Sequence, residues 1–519
     1  MHTHELLAIA SAIVPDRVAI TFDDQRWTYA EFANRANRLA NALADVGVEA
    51  GDRIAVIDVN TPQHLEAYFA AARLDAIYVP LNFREHPEEM GFPLEHTAPK
   101  VLIAGERYVP LVESLRPQAA SVEQFIVAGG TVNGGWVAYD DLLGSGQAEE
   151  LRFPEGEPGN TAVLLFTAGT TGRPKAVMLS HDSFTSFMLS SVEPPDPDIE
   201  ERTLLTLPMY HIAGLQAALA SVYGGRPIVI QRQFEPWEWL NLVQQEQVAR
   251  ALVVPTMLKQ VLDHVEFSSF NLDSLQVLTY GGASMPPSLI ERAIGALPGV
   301  QFMNAFGQTE TGSTIAVLRP EDHVLDGHDL VVAKRRIRLS SIGQPVADVE
   351  VRVVDEAGAE LPAGETGEII ARGPRLMSGY WGKADSTAET LRGGWLYTGD
   401  LAYVDEDGYI FLQGRAKDFI KRGGEMVAPE EVENLIHGYD GVAECAVIGL
   451  PDDTWGEQVV AIVVTEAGAD VTEESVKAIC QEHLARFKRP ERVLIVDYLP
   501  RNSLGKVLKR ELREKFAGP

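Results

Sequence analysis

Apolar positions recur along the first four fifths of the chain in two alternating rhythms. Residues 29–43 carry Tyr29, Phe32, Ala36, Leu39, Ala40 and Leu43 at the three- and four-residue spacing of an amphipathic helix, and residues 64–74 repeat that rhythm. Between and after them, residues 53–58 and 76–80 are short apolar runs of strand length. A strand that alternates with a helix builds a mostly parallel sheet with helical crossovers, because the helix carries the chain back to start the next strand in the same direction. The pattern changes at residues 349–354 and 367–371, two strands with no helix between them, which predicts an antiparallel, β-rich subdomain. After Gly414-Arg415 it restarts on a smaller scale. Pro429 opens a helix running through Ile436, strands follow at residues 444–448 and 458–464, then a helix at 472–484 and a strand at 492–496. The expected fold is therefore α/β, with a large compound N-terminal domain over residues 1–414 and a small α+β domain over 415–519; no internal repeat is visible.

Composition narrows the class. The 519 residues are 45% hydrophobic and 23% charged, as in a folded protein too long for one core. Apolar runs such as residues 163–166 and 459–464 fall far short of the roughly 20 residues of a membrane span, so no transmembrane segment is expected, while peripheral contact with a membrane is left open. Leu6 to Val14 has the length of a signal-peptide core, but Glu5 precedes it, no Lys or Arg lies upstream, and Pro15-Asp16 follows. The two cysteines, Cys445 and Cys480, fall on a strand and on the apolar face of a helix and belong to no disulfide or zinc pattern. A cytoplasmic setting is the expectation. The net charge of -30 argues against a nucleic-acid partner and requires any anionic ligand to find a local positive site. From Leu484 onward the balance reverses, with 10 basic and 4 acidic residues.

The buried-strand run of residues 163–166 leads into Thr167-Ala168-Gly169-Thr170-Thr171-Gly172-Arg173-Pro174-Lys175. Small residues, hydroxyls and a lysine at a strand end suit a polyphosphate: backbone N–H groups approach closely, hydroxyls donate, and the lysine neutralises charge. It is not a Walker A loop. Pro174 stands where that motif needs its second Gly, and Ala176 where it needs a magnesium-binding hydroxyl.

With this loop come seven further segments: Pro208-Met209-Tyr210-His211, Tyr280-Gly281-Gly282-Ala283, Asn304 to Glu310, Tyr397-Thr398-Gly399-Asp400, Gly414 to Asp418, Lys421 to Glu425, and Pro500 to Lys506. In this order and over nearly the whole chain, the sequence resembles the adenylate-forming superfamily of acyl-CoA and aryl-CoA synthetases, peptide-synthetase adenylation domains and beetle luciferases. It departs from the usual phosphate loop at Ala168, where Ser is common, and at Ala176, where Gly is common.

The resemblance implies a reaction and a cast of residues. ATP, Mg2+ and coenzyme A are the expected cofactors, and a small-molecule carboxylic acid the expected substrate, in a monomer or homodimer. Glu310 resembles the magnesium ligand and Thr309 a donor to the α-phosphate. Thr167, Gly169, Thr170, Thr171, Gly172 and Lys175 correspond to the phosphate-binding set. Gly282, Ala283, Ser284, Asn304, Ala305, Phe306 and Gly307 correspond to the adenine and carboxylate wall. Asp400 and Arg415 match the ribose pair, and Lys506 the lysine that a mobile C-terminal domain brings to the reacting carboxylate. Lys417 matches the hinge, and Lys421, Arg422, Gly423, Gly424 and Glu425 the loop beside the pantetheine tunnel. His211, with Tyr280, Gly281 and Gly282, is placed in the acyl pocket.

The implied activity is an acyl-CoA synthetase for a medium- or long-chain fatty acid. An aryl-CoA ligase, an enzyme loading a carrier protein, a luciferase-like oxygenase and a catalytically silent nucleotide sensor are the alternatives. Met209-Tyr210-His211-Ile212-Ala213 holds no acid of the kind that grips an amino group in peptide-synthetase pockets, which favours a fatty or aryl acid.

Overall fold

The structure is a computed structural model that describes residues 1–130, 134–167, 173–327, 329–415, 418–422, 425–452, 454–502 and 505–517. Local sequence sets its elements. The helix Tyr29–Asp45 starts at Thr28, whose hydroxyl accepts the Glu31 N–H at 3.2 Å while the Glu31 carboxylate accepts the Thr28 N–H at 2.8 Å. This reciprocal cap satisfies two otherwise orphaned donors. The helix Pro62–Arg73 is enclosed on nearly every side, so even Glu66 is buried. Its carboxylate is matched by Arg35 Nε at 2.5 Å and the Tyr139 hydroxyl at 2.5 Å, as a buried charge requires.

Two large sheets dominate. The first has nine strands, whose central parallel run places Arg202–Leu205, Val248–Val253, Val277–Gly281 and Gln301–Gln308 side by side. The second has eight, with Thr161–Thr167 between Lys175–Ser180 and Ile77–Pro80. Tyr29–Asp45, Pro62–Arg73 and Ile212–Tyr223 contribute to one core shared with both sheets, and separate cores cover the remaining faces. The antiparallel expectation holds: Glu350–Val354, Gly367–Arg372, Trp395–Val404 and Ile410–Arg415 pair in that sense in a third sheet. A fourth sheet joins Glu425–Val427, Ile420–Arg422, Gly456–Thr465 and Val442–Asp452, with Arg492–Ile495 against Gly456–Thr465. It has cores on its two faces built from residues 420–516.

Among the described residues no helix is long and apolar enough to cross a membrane. Leu6, Leu7 and Ala10 are buried on the helix His4–Ile13, as part of the shared core. Cys445 and Cys480 are buried and free.

Candidate active site

The strand Gln301–Gln308 lies well inside the nine-stranded sheet, yet Met303 through Gln308 are all half-exposed. An interior strand that lacks cover over six residues forms the wall of a cleft. At its end the pairing with Ser313–Leu318 slips between Phe306 and Gly307. A Cβ on Gly307 would lie 1.7 Å from the Ser313 carbonyl oxygen, and Ser313 itself adopts φ +87°, a conformation rare for a side-chain-bearing residue. The resulting bulge redirects the chain into a turn. Buried Thr311 accepts the Gln308 N–H at 2.8 Å, Gly312 N–H donates to the Thr309 carbonyl at 3.1 Å, and Met377 N–H donates to the Glu310 carbonyl at 2.9 Å. Thr309 and Glu310 are thus carried at the cleft by backbone held from both sides.

The Glu310 carboxylate faces the hairpin of Thr161–Thr167 and Lys175–Ser180, in which Thr167 pairs with Lys175. Its Oε1 accepts the Thr167 hydroxyl at 3.4 Å and the Tyr380 hydroxyl at 3.1 Å. Lys175 Nζ stands 4.6 Å above the Tyr380 ring. Burial, then the Glu310 charge, push the Tyr380 phenol above its ordinary range, so it stays a donor. Among the described residues no cationic side chain forms an ion pair with Glu310. A half-buried carboxylate steered by hydroxyls and free of a cation fits Mg2+, which takes hard oxygen ligands and is commonly held by one or two carboxylates together with substrate phosphates. Ala168, Gly169, Thr170, Thr171 and Gly172 lie outside the described residues. Ala176 is fully buried in the core and pairs with Phe166, so it faces no metal.

Asp400 and Arg415 are directly opposite on Trp395–Val404 and Ile410–Arg415. Arg415 Nε meets Asp400 Oδ1 at 2.6 Å, and Gln308 donates its side-chain amide to Asp400 Oδ2 and, at 3.0 Å, to the Thr398 carbonyl. Gln308 therefore ties the turn that carries Glu310 to the strand that carries Asp400. Neither Gln308 nor Tyr380 carries a sequence signal for this role. Gln308 was visible only as a neighbour of Thr309, and Tyr380 only as an aromatic after a glycine.

Gly281 lets the two parallel strands close up, since a Cβ there would lie 2.3 Å from the Ala305 carbonyl oxygen. Gly282, Ala283 and Ser284 follow at the cleft, and Asn304, Ala305 and Phe306 are half-exposed beside them. Tyr280 does not join them. Its side chain is fully buried on the opposite face with Leu278 and Phe302, and its hydroxyl meets His323 Nε2 at 2.8 Å. Its expected place in the acyl pocket is corrected to one in the core. His211 precedes the helix Ile212–Tyr223 and is half-exposed, its ring 4.2 Å from that of Tyr210. Burial, then the Arg84 guanidinium, lower its pKa to about 3, so the imidazole is neutral near pH 7.

Lys506 reaches this cleft from the fourth sheet. Its loop is held by itself: Asn502 N–H donates to the Lys506 carbonyl at 2.9 Å, Gly505 N–H to the Asn502 carbonyl at 2.9 Å, and Lys506 N–H to Asn502 Oδ1 at 2.9 Å. Gly505, at φ +76°, sits so close to the helix Pro255–Asp263 that a Cβ would lie 2.6 Å from Thr256 Oγ1. The Lys506 side chain touches solvent in the open cleft while protein crowds around it at longer range. That desolvation, then the Arg415 charge, lower its pKa, and Asp400 opposes them. Of the other loop, Lys421 and Glu425 are exposed on the hairpin Ile420–Arg422 and Glu425–Val427. Arg422 is instead buried, donating to the Phe487 and Arg489 carbonyls at 3.0 Å each and pairing with Glu491. It braces the small sheet. Lys417, Gly423 and Gly424 lie outside the described residues.

A family model described as AMP-binding enzyme matches residues 8–381, and one described as AMP-binding enzyme C-terminal domain matches residues 431–506. A feruloyl-CoA synthase from an Amycolatopsis species is 36% identical over 503 residues, covering 97% of this chain and 96% of that protein. The fatty acid–[acyl-carrier-protein] ligase ScoC of Streptomyces coeruleorubidus is 34% identical over 508 residues, covering 97% and 94%. Among solved structures, ATP-bound MatB from Rhodopseudomonas palustris matches with a TM-score of 0.86 at 29% identity, over 100% of this chain and 99% of that one.

Proposed function

The chain belongs to the family of AMP-binding enzymes, adenylate-forming acid–CoA ligases that use ATP, Mg2+ and CoA, and we propose that it activates an apolar carboxylic acid, an aryl acid first among them. The observation that carries the assignment of roles is the meeting at one cleft of Glu310 on the turn after Gln301–Gln308, the Asp400–Arg415 pair on the third sheet, and Lys506 on the loop before the helix Lys509–Phe516.

In this reading the acid's carboxylate oxygen attacks the α-phosphorus of ATP, the α–β bond breaks, and pyrophosphate leaves. Both reactants are anions, so catalysis consists of positioning and charge neutralisation. Thr167, Lys175 and residues 169–172 hold the triphosphate, and Thr309 donates to the α-phosphate. Glu310 holds Mg2+, kept in aim by Thr167 and Tyr380. When bound, the ion supplies positive charge against the phosphates. Asp400 accepts the ribose hydroxyls. Among the described residues each of its oxygens has one protein donor, which leaves a further lone pair for the purpose. Lys506 neutralises the charge that develops between carboxylate and phosphate. In the second step the thiol sulfur attacks the acyl carbon, AMP leaves, and the thiol proton passes to solvent. For that step residues beyond Arg415 swing as one unit on a hinge at Lys417, withdrawing Lys506 and presenting the loop from Lys421 to Glu425. Arg415 itself stays with the large part as the last residue of its strand.

The wall of the cleft selects the acid. Gly281, Gly282, Ala283, Ala305 and Phe306 are apolar and small or flat, and His211 is uncharged. Such a surface favours a flat or extended apolar acid over a dicarboxylate. The 36% identity to a feruloyl-CoA synthase puts aryl acids first. The 34% identity to a fatty acid ligase supports the medium- or long-chain reading as the second arm. Pyrophosphate release measured over aryl and straight-chain acids, with and without CoA, tests both. Aryl acids should give the highest kcat/KM, with CoA needed for turnover. A preference for straight chains selects the second arm, and release with neither class rejects the apolar-acid reading.

A further inference from the structure

Main-chain groups just beyond the end of a strand have no ladder partner, and when buried they must find one elsewhere. Asn60 supplies it for two such turns at once. It lies between the strand Arg53–Ile57 of the eight-stranded sheet and the helix Pro62–Arg73, and it is 2% exposed. Its side chain reaches into the nine-stranded sheet. Asn60 Oδ1 accepts the Met209 N–H at 3.1 Å, and its amide N–H groups are shared among the carbonyls of Leu207 at 3.1 Å, Gln231 at 3.2 Å and Thr206 at 3.4 Å. The Asn60 backbone N–H donates to the Arg232 carbonyl at 3.1 Å. Residues 206–209 follow the strand Arg202–Leu205, and residues 231 and 232 follow Ile228–Ile230. A short side chain with an acceptor and two donors is what this meeting needs: Asp has no donor when ionised, Leu has neither group, and Gln is a methylene too long.

The turn that Asn60 grips is also seated from the other side. Gly214, in the first turn of the helix Ile212–Tyr223, lies so close that a Cβ there would be 2.3 Å from the Pro208 carbonyl oxygen and 2.7 Å from that of Leu207. Leu207 and Pro208 are therefore clamped between the Asn60 amide and the start of this helix.

What the clamp holds is the approach to the acyl wall. Residues 206–210 are all buried, and half-exposure begins at His211 and continues through Ile212 and Ala213. No slack separates the two stretches: His211 N–H donates to the Pro208 carbonyl at 3.0 Å, and Leu215 N–H to the His211 carbonyl at 3.0 Å. A shift of the buried turn is passed on to His211 and the residues after it. Displacements well under the size of an atom matter to a bound reactant, so the group that seats the turn governs how the acid lies.

We propose that Asn60 is a positioning residue for the acid: without touching it, Asn60 fixes the turn that aims His211, Ile212 and Ala213 at the acyl pocket. This rests on the reading of His211 as part of that pocket. The test uses the full chain and initial rates of pyrophosphate release with cinnamate and with decanoate, varying acid and ATP separately, beside a melting curve. Asn60→Ala should raise the KM of the acid by about tenfold and shift the ratio of kcat/KM between the two acids, with the ATP KM within about twofold of the parent. Gly214→Ala, which presses on the same turn from the opposite side, should give the same split, and it carries the test if Asn60→Ala does not fold. Asn41 is the matched control for a purely structural loss. It is 3% exposed and donates to the carbonyls of Gln147 at 2.8 Å and Glu149 at 3.0 Å, on elements that supply nothing to the cleft. Asn41→Ala should lower Tm and leave both KM values alone. Variants of Asn60 and Gly214 that behave like Asn41→Ala, or that raise the KM of ATP as much as that of the acid, overturn the proposal. His211→Ala separates this from the reading beneath it: a raised acid KM there with none in the other two rejects the clamp alone, and an unchanged acid KM in His211→Ala rejects the acyl-pocket reading and the clamp with it.

Discussion

Two charged side chains face the same cleft by opposite means. Glu310 is held by a turn locked into a large sheet: its neighbours Gly307 and Gly312 admit no Cβ, Thr311 is buried, and Ser313 carries left-handed backbone. Lys506 rides a loop bonded mainly to itself on a small separate sheet, and it meets the large part at Gly505 against Thr256. A residue needed through the whole reaction can be fixed at the cost of strain, which functional sites tolerate. One needed for a single step has to be removable, and a self-contained loop allows that.

Breaking the fixed side should do the most damage. Gly307→Val puts a side chain where 1.7 Å separates the nearest carbonyl oxygen, so both half-reactions should fall by about a thousandfold and Tm should drop. Stopped assays of pyrophosphate release and thioester formation, with a melting curve, check this. Intact activity would show that the turn is not rigid. On the docking side, Gly505→Ala should lower adenylate formation by about a hundredfold and spare the thiol step. Adding Thr256→Ala, which removes the nearest atom, should restore part of the loss. No rescue would mean that the loop, and not its seat, was damaged.

Gln308→Ala should cost about 1 kcal/mol, roughly a fivefold to tenfold rise in the ATP KM, because one donor to Asp400 is lost while Arg415 remains. An unchanged KM would remove Gln308 from the site. The smallest effect concerns Glu430, packed against Gly414, whose carboxyl is pushed up to about 7 by burial. A raised acid pKa means that the folded state holds the proton more tightly. This contribution is therefore full below the ordinary value of 4.5 and is lost as pH rises through 7. Tm should slope downward across that window, and Glu430→Gln should flatten the slope.

Much of this architecture was legible locally. The helix expected over residues 29–43 is Tyr29–Asp45, the strand over 444–448 is the middle of Val442–Asp452, and the helix over 472–484 is Glu473–His483, because caps and period lie within each segment. The period-two rule puts Tyr280 in the core: it shares a face with core Leu278, whereas Gly281 is on the other. Arg422 was read as part of a loop because its carbonyl partners lie 65 and 67 residues away. Tyr380 is invisible in the sequence for the same reason: its partner Glu310 lies 70 residues away.

In the proposed mechanism Lys506 serves the first half-reaction alone. The direct measurement compares Lys506→Ala with the parent in two assays, pyrophosphate release from ATP plus acid, and thioester formation from preformed acyl-adenylate plus CoA. The first rate should fall by about a hundredfold or more, the scale of one missing transition-state donor, and the second should be unchanged. Equal losses in both assays would contradict it and leave Lys506 a structural residue of its loop.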